Sequence, residues 1–258
     1  MSDDWNSHWE TFSSSTELNP AQLWRRKLIM QLLDLDPGSK VLDVGSGQGD
    51  FARHLLDRKK DVNFTGLELS HAGVMISTKK VPEARFEQVD LLQDEIADLD
   101  LFSWASHVVC SEVLEHLDRP EILLKNALRY AAEGACVVLT VPRGPRTKFD
   151  IHIGHRKHYT QKDLGEVMEA AGITVEKIET RGFPFFNCYR LAVMARGQKL
   201  IDDVRKEKEP GIIQHAMMHV FNILLKFNFR KNRFGWQLVG VGTVNRNGIS
   251  SCQKNDLA

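Results

Sequence analysis

A run of ten residues, Val41-Leu42-Asp43-Val44-Gly45-Ser46-Gly47-Gln48-Gly49-Asp50, passes from an apolar stretch into a turn with glycine at every second position. Glycine there tolerates positive φ and lets the backbone approach a ligand closely. The spacing is G-x-G-x-G with an acid two residues ahead, not the G-x-G-x-x-G that cradles a pyrophosphate at a helix N-terminus. Glu68 follows about twenty residues on, at the end of the next apolar run, where a carboxylate accepts both hydroxyls of a ribose. Asp90 lies just past a third run and precedes Leu91, an acid suited to an adenine amino group beside an apolar side chain suited to the ring face. Singly, each acid is as readily a turn or helix-cap residue. In this order they read as one cofactor site at the carboxyl ends of successive strands, where open α/β sheets bind ligands.

Two groups of histidines accompany it: His116, after Glu115, beyond a fourth apolar run, and His152, His155 and His158 beyond a fifth. Histidine is the side chain best matched to removing a proton at neutral pH. Histidines near a helix start also cap carbonyls or bond a nearby acid, and that reading stands beside the catalytic one. The three-residue spacing of 152, 155 and 158, with Asp150 close by, would gather a metal on a helix face. Gly154 and the β-branched Ile153 oppose a helix there, so no metal is expected.

The elements that position these residues follow from periodicity. Short apolar runs at 41–44, 62–67, 85–89, 107–110 and 135–141, too short for helices, alternate with helical patterns at 50–56 and 120–130. A helix at 161–171, capped by Thr160 and stopped by Gly172, precedes strands at 173–178 and 236–244. This is the pattern of a doubly wound, seven-stranded, mostly parallel sheet. Residues 36–180 and 235–245 form its core, 1–35 a helical N-terminal cap and 246–258 a flexible tail. Residues 181–234, too long for a plain loop, carry helical patterns at 187–205 and 212–227, a helical lid inserted between the last two strands.

The motifs V-L-D-V-G-S-G-Q-G-D (41 to 50), G-L-E-L (66 to 69), V-D-L (89 to 91) and S-E-V-L-E-H-L (111 to 117) resemble those of the class I methyltransferases, in order, across residues 20 to 180. The resemblance implies S-adenosyl-L-methionine as cofactor. It places Asp43, Gly45, Ser46, Gly47 and Gly49 at the methionine part, Glu68 and Leu69 at the ribose, and Asp90 and Leu91 at the adenine, with Ser111 alongside. G-H-R-K-H-Y-T (154 to 160) is similar to a signature of small-molecule methyltransferases related to ubiquinone and natural-product enzymes. It makes His155 the first candidate for base or acceptor-orienting residue, followed by His116 and His158.

The implied activity is methyl transfer to oxygen, nitrogen or carbon of a small metabolite. The alternatives are methylation of a protein or RNA, or a non-catalytic cofactor-binding partner protein. A nicotinamide oxidoreductase is opposed by the glycine spacing and Asp43. The 34 basic and 34 acidic residues cancel, and no basic tract or nucleic-acid module is evident, so nucleic acid is not the expected partner. No apolar stretch predicts stable membrane insertion, and the start lacks a secretory leader, so a cytoplasmic location is expected. Cys110, Cys136, Cys188 and Cys252 show no C-x-x-C pair and read as free thiols.

Before the first strand, Trp24 with Arg25 or Arg26 could close over the cofactor, although surface packing explains them as well. In the lid, Ile213, Met217, Val220, Phe221, Leu224 and Leu225 form an apolar stripe opposite His215, His219 and Lys226. The stripe predicts core or pocket, with a homodimer through the lid helices, or contact with a membrane surface by way of Lys226, Arg230, Lys231 and Arg233, as the other readings.

Overall fold

The computed structural model describes residues 19–93, 99–205 and 211–245. The sequence's polar start through residue 18, the charged break at 206–210, and the tail with Cys252 lie outside them. The described elements are α1 (Pro20–Leu33), β1 (Lys40–Val44), α2 (Asp50–Leu56), β2 (Asn63–Glu68), α3 (His71–Lys80), β3 (Arg85–Gln88), β4 (Ala105–Ser111), α4 (Pro120–Ala127), β5 (Ala131–Pro142), α5 (Lys148–His152), α6 (Gln161–Ala170), β6 (Ile173–Arg181), α7 (Phe185–Arg205), α8 (Ile212–Leu224) and β7 (Gln237–Val244).

The strands form one seven-stranded sheet in the order β3-β2-β1-β4-β5-β7-β6. Pairings from β3 through β5 are parallel, and β7 runs antiparallel between β5 and β6. This is the doubly wound, mostly parallel sheet expected, with α7 and α8 inserted between the last two strands.

Alternation along the central strands feeds two cores. Leu42, Val108 and Val137 join Leu114, Tyr130, Tyr159, Leu164 and Met168 on one face. Their neighbours Val41, Val109 and Val138 face Leu28, Ile29, Leu33, Phe51 and Leu55 on the other. Successive side chains of a strand point to opposite faces, so a strand covered on both reads as a continuous apolar run.

Helix starts are locally encoded. Asn19 accepts from the amides of Ala21 and Gln22 ahead of Pro20, and Thr147 and Thr160 each close a capping box with the acid three residues on. Gly172 ends the helix region at φ +89°. The helix expected over 120–130 is α4 followed by a 3₁₀ turn, Leu128–Tyr130. The short α5 stops at His152, and Gly154 lies at φ +90°, in keeping with the breaker role of that glycine.

The α8 stripe divides rather than facing one way. Phe221 packs edge-on against Tyr189 at 5.3 Å, and Leu225 is buried. Met217 and Val220, expected beside them, are exposed, as is Ile223. At 100° per residue, Val220 and Ile223 lie on a flank about 100–200° away from Phe221 and Leu225, while Met217 lies one turn before Phe221 on its side and is nonetheless exposed. Ile213's side chain lies outside the described residues.

Candidate active site

The glycine turn closes β1 against β2. The amides of Gly45 and Ser46 both donate to the Leu67 carbonyl, at 2.8 and 3.1 Å, and Gly45, Gly47 and Gly49 all have positive φ. A Cβ on Gly45 would sit 2.5 Å from Cγ2 of Val113, so the segment after β4 lies directly against the turn. Such closeness leaves room only for backbone on that side.

Glu68 is buried at the end of β2, and its two carboxylate oxygens each accept one amide: Gly47 at 2.8 Å and Ser70 at 3.0 Å. Asp43 is buried at the end of β1 and accepts no hydrogen bond from a described residue. Burial, then the charge of Glu68, pushes its carboxyl up to about 7.

The third acid is placed differently. Asp90 accepts from the amide of Leu92 at 3.0 Å and the side chain of Gln93 at 2.7 Å, a local turn. Leu91, expected at the ring face, is turned into the core, and the exposed leucines nearby are Leu69 and Leu92. The turn closed by Asp90, beyond the end of β3, sends Leu91 inward and Leu92 outward.

At the end of β4, Ser111 Oγ meets Thr140 Oγ1 at 2.8 Å. Glu112 follows at φ +59°, a conformation few side chains adopt, and is fixed from three sides. Thr140 and Gln237 donate to its Oε1 at 3.2 and 2.8 Å, and Arg25 meets Oε2 at 2.9 Å. Strained backbone of this kind is retained where surrounding contacts over-determine it, often at functional sites. Arg25 thereby ties α1 to the site, while Arg26 lies 3.6 Å from Asp50. Trp24 packs against Phe186 of α7 with the rings tilted at 37° and their centroids 5.0 Å apart.

Beyond this network the structure gathers three histidines and two acids. His116 and His155 meet edge-on at 4.8 Å, and His155 and His158 at 5.4 Å. His152 is exposed and outside the group, and Asp150 takes the place sequence spacing gave it. Asp150 is fully buried, bonded by Thr147 and by Arg190 of α7 at 2.9–3.0 Å. Against the effect of burial, the Arg190 guanidinium and the Thr147 bonds hold its carboxyl below the usual range.

The tautomers follow from the partners. His158 Nδ1 lies 3.0 Å from the Gly144 carbonyl, which only accepts, so that nitrogen carries the hydrogen. His158 Nε2 then accepts from His155 Nδ1 at 3.2 Å. The lone pair of His155 Nε2 is left open, 3.9 Å from Glu115 Oε1, too far for a hydrogen bond. Burial, then the neighbouring His116, pushes the His155 imidazolium down to about 3, so the ring is neutral at physiological pH.

Glu115 is fully buried with neither carboxylate oxygen hydrogen-bonded. Burial, then the charge of Glu112, raises its carboxyl well above the ordinary carboxylate range. Sequence reading had singled out only its neighbour His116. The signal for Glu115 is its place in the segment after β4, whose turn buries it by bonding the Glu115 carbonyl to the Arg156 amide at 2.7 Å.

Two trios, Glu115-His116-His155 and Asp150-His155-His158, have one ligand atom each within 4.8 Å of the others. In the second, Asp150 is already paired with Arg190 and the two histidines with each other. Among the described residues, Cys110, Cys136 and Cys188 are free thiols, and no helix is long and apolar enough to cross a membrane.

Residues 19–178, more than half of the chain, match the model of a methyltransferase domain. Phosphoethanolamine N-methyltransferase 3 of Arabidopsis thaliana is 26% identical over 203 residues, 72% of this chain and 40% of that protein. The ubiquinone biosynthesis O-methyltransferase of Psychrobacter cryohalolentis is 25% identical over 165 residues, 57% of this chain and 62% of that one. Phosphoethanolamine N-methyltransferase 2 of Haemonchus contortus, solved with phosphomonomethylethanolamine and S-adenosylhomocysteine, superposes with a TM-score of 0.60 at 15% identity, covering 93% of this chain and 56% of that one. The chain spans less than two thirds of the length of each of these relatives.

Proposed function

Since the chain belongs to the class I S-adenosylmethionine-dependent methyltransferases, we propose that it methylates an oxygen, nitrogen or carbon atom of a small-molecule metabolite. The observation that carries this reading is a buried cluster of His116, His155 and His158 that follows the same parallel strands whose carboxyl ends carry the glycine turn, Asp43 and Glu68.

The site fits that cofactor. Asp43 and Glu68 are buried acids at the ends of neighbouring strands, Asp43 accepts no hydrogen bond from another described residue, and Gly45, Gly47 and Gly49 turn the backbone at positive φ after β1. Asp43, Gly45, Ser46, Gly47 and Gly49 would hold the methionine portion, Glu68 and Leu69 the ribose, and Asp90 the adenine, with exposed Leu92 rather than Leu91 at the ring. Bound there, S-adenosylmethionine supplies an electrophilic methyl group.

The remaining work falls to this chain's residues. An acceptor hydroxyl or ammonium group must lose a proton, and His155 Nε2 takes it. The charge that then develops on the imidazole is met by the Asp150 carboxylate, 4.0 Å from Nδ1, with Glu115 3.9 Å from Nε2. His158, anchored on Gly144, fixes the ring, and Glu112 with Arg25 and Gln237 holds the β4 segment against the turn. Alignment and exclusion of water, rather than strong acid chemistry, are the main demands of such a transfer.

Labelled S-adenosylmethionine incubated with the protein and a cell extract, separated into metabolites, proteins and RNA, tests the reading. Label in the metabolite fraction, lost with His155→Gln, is expected. Label confined to protein or RNA would support methylation of a macromolecule by the same core. Cofactor binding without transfer to any fraction would support a non-catalytic partner protein.

A further inference from the structure

The segment that follows α8 is exposed and has an unusual composition. Phe227, Phe229 and Phe234 are 63%, 57% and 67% exposed. The last two lean on Phe183, with ring centroids 6.0 and 5.6 Å away, so they form one aromatic cluster rather than scattered side chains. Interleaved with them are Lys226, Arg230, Lys231 and Arg233, all exposed, and none has an ion-pair partner among the described residues. From residue 211 to 245 the sequence contains no Asp or Glu, although the whole chain is neutral.

The flank of α8 continues the same surface. Met217, Val220 and Ile223 are exposed at helical spacing and lead along the helix to Phe227, while Phe221 and Leu225 hold the helix on the body of the protein. Solvent-facing phenylalanines cost free energy in water, and an uncompensated cationic rim repels a basic partner and favours an anionic one. Aromatic and aliphatic side chains flanked by Lys and Arg match one chemistry well: the boundary between acyl chains and anionic headgroups.

We propose that residues 217–234 dock the protein on anionic lipid bilayers, the phenylalanines entering the acyl boundary and the four cations meeting phosphate. This is peripheral attachment and goes beyond the transfer reaction. It places the protein where amphiphilic molecules are concentrated.

Sedimentation of the full chain with vesicles of phosphatidylcholine alone, or with about three parts in ten phosphatidylglycerol, tests it. The expected result is binding to the anionic vesicles at least tenfold stronger than to the neutral ones, weakened by salt. Phe227→Ser should reduce that binding severalfold, and Lys226→Glu with Lys231→Glu should abolish it. Both variants alter solvated residues only, and unchanged melting temperature and cofactor affinity would verify that each is folded. Equal binding to both vesicles, no binding, or full binding by either variant overturns the proposal. A dimer by light scattering that Phe227→Ser dissociates, without vesicle binding, assigns the face to a second copy of the chain and overturns it also.

Discussion

Asp43 and His155 are buried groups whose protonation is set by the fold, and each carries a prediction at the scale of one residue. The Asp43 carboxyl is raised to about 7, first by burial and then by Glu68, so it binds a proton below that pH and is ionised above it. If its carboxylate receives the cationic part of the cofactor, affinity must rise with pH through that value, by about fivefold from pH 6 to pH 7. Calorimetric titration at both values checks this, and Asp43→Asn should remove the dependence along with much of the affinity. His155 titrates near 3, so its base form persists down to acid pH and imposes no loss of rate between pH 5 and 7. Replacing it by Gln should lower the rate of transfer about a hundredfold while leaving cofactor affinity unchanged. A variant that transfers at the parental rate would return His155 to a packing role.

At the scale of elements, turns and caps do the positioning. Gly45 at φ +73° has Val113 where a Cβ would go, so Gly45→Ala should cost about 1–3 kcal/mol and weaken cofactor binding through displacement of the β4 segment. Thr160 caps α6, its hydroxyl accepting from the Asp163 amide, so Thr160→Ala should cost about 1 kcal/mol with unchanged cofactor affinity. Thermal melting beside cofactor titration separates the two. These elements are also what the sequence made legible: glycine spacing, caps and uninterrupted apolar runs announce the strands, the doubly wound order and the placing of the lid. Helix α3 escaped notice because its ten residues show little apolar periodicity, its main signal being Ser70, whose side chain caps the Gly73 amide. Leu91, read as the ring-face residue, is buried because the turn after β3 carries it into the core, a placement that spacing does not encode. Glu115, Asp150 and Arg190 drew little attention because their importance arises from contacts between distant segments, and no local pattern encodes a proximity of that kind.

Over the whole molecule, two ion pairs bind the periphery to the site. Arg25 joins α1 to Glu112, and Arg190 joins α7 to Asp150. Asp150 is fully buried, so Arg190→Met would strand its charge and should cost about 3–5 kcal/mol. Adding Asp150→Asn should recover part of that loss, a coupling that melting of the single and double variants measures. The α1 and α7 helices are therefore parts of one assembly with the sheet, and cofactor binding at its carboxyl edge is the property on which the account depends. The most direct test is calorimetric titration of the full chain with S-adenosylmethionine, S-adenosylhomocysteine and NAD, beside Glu68→Ala. Binding of the two adenosyl compounds and not of NAD, weakened at least about tenfold in the variant by loss of a charge-assisted contact, is predicted. Binding of NAD alone, no binding, or full affinity in Glu68→Ala would contradict the site described.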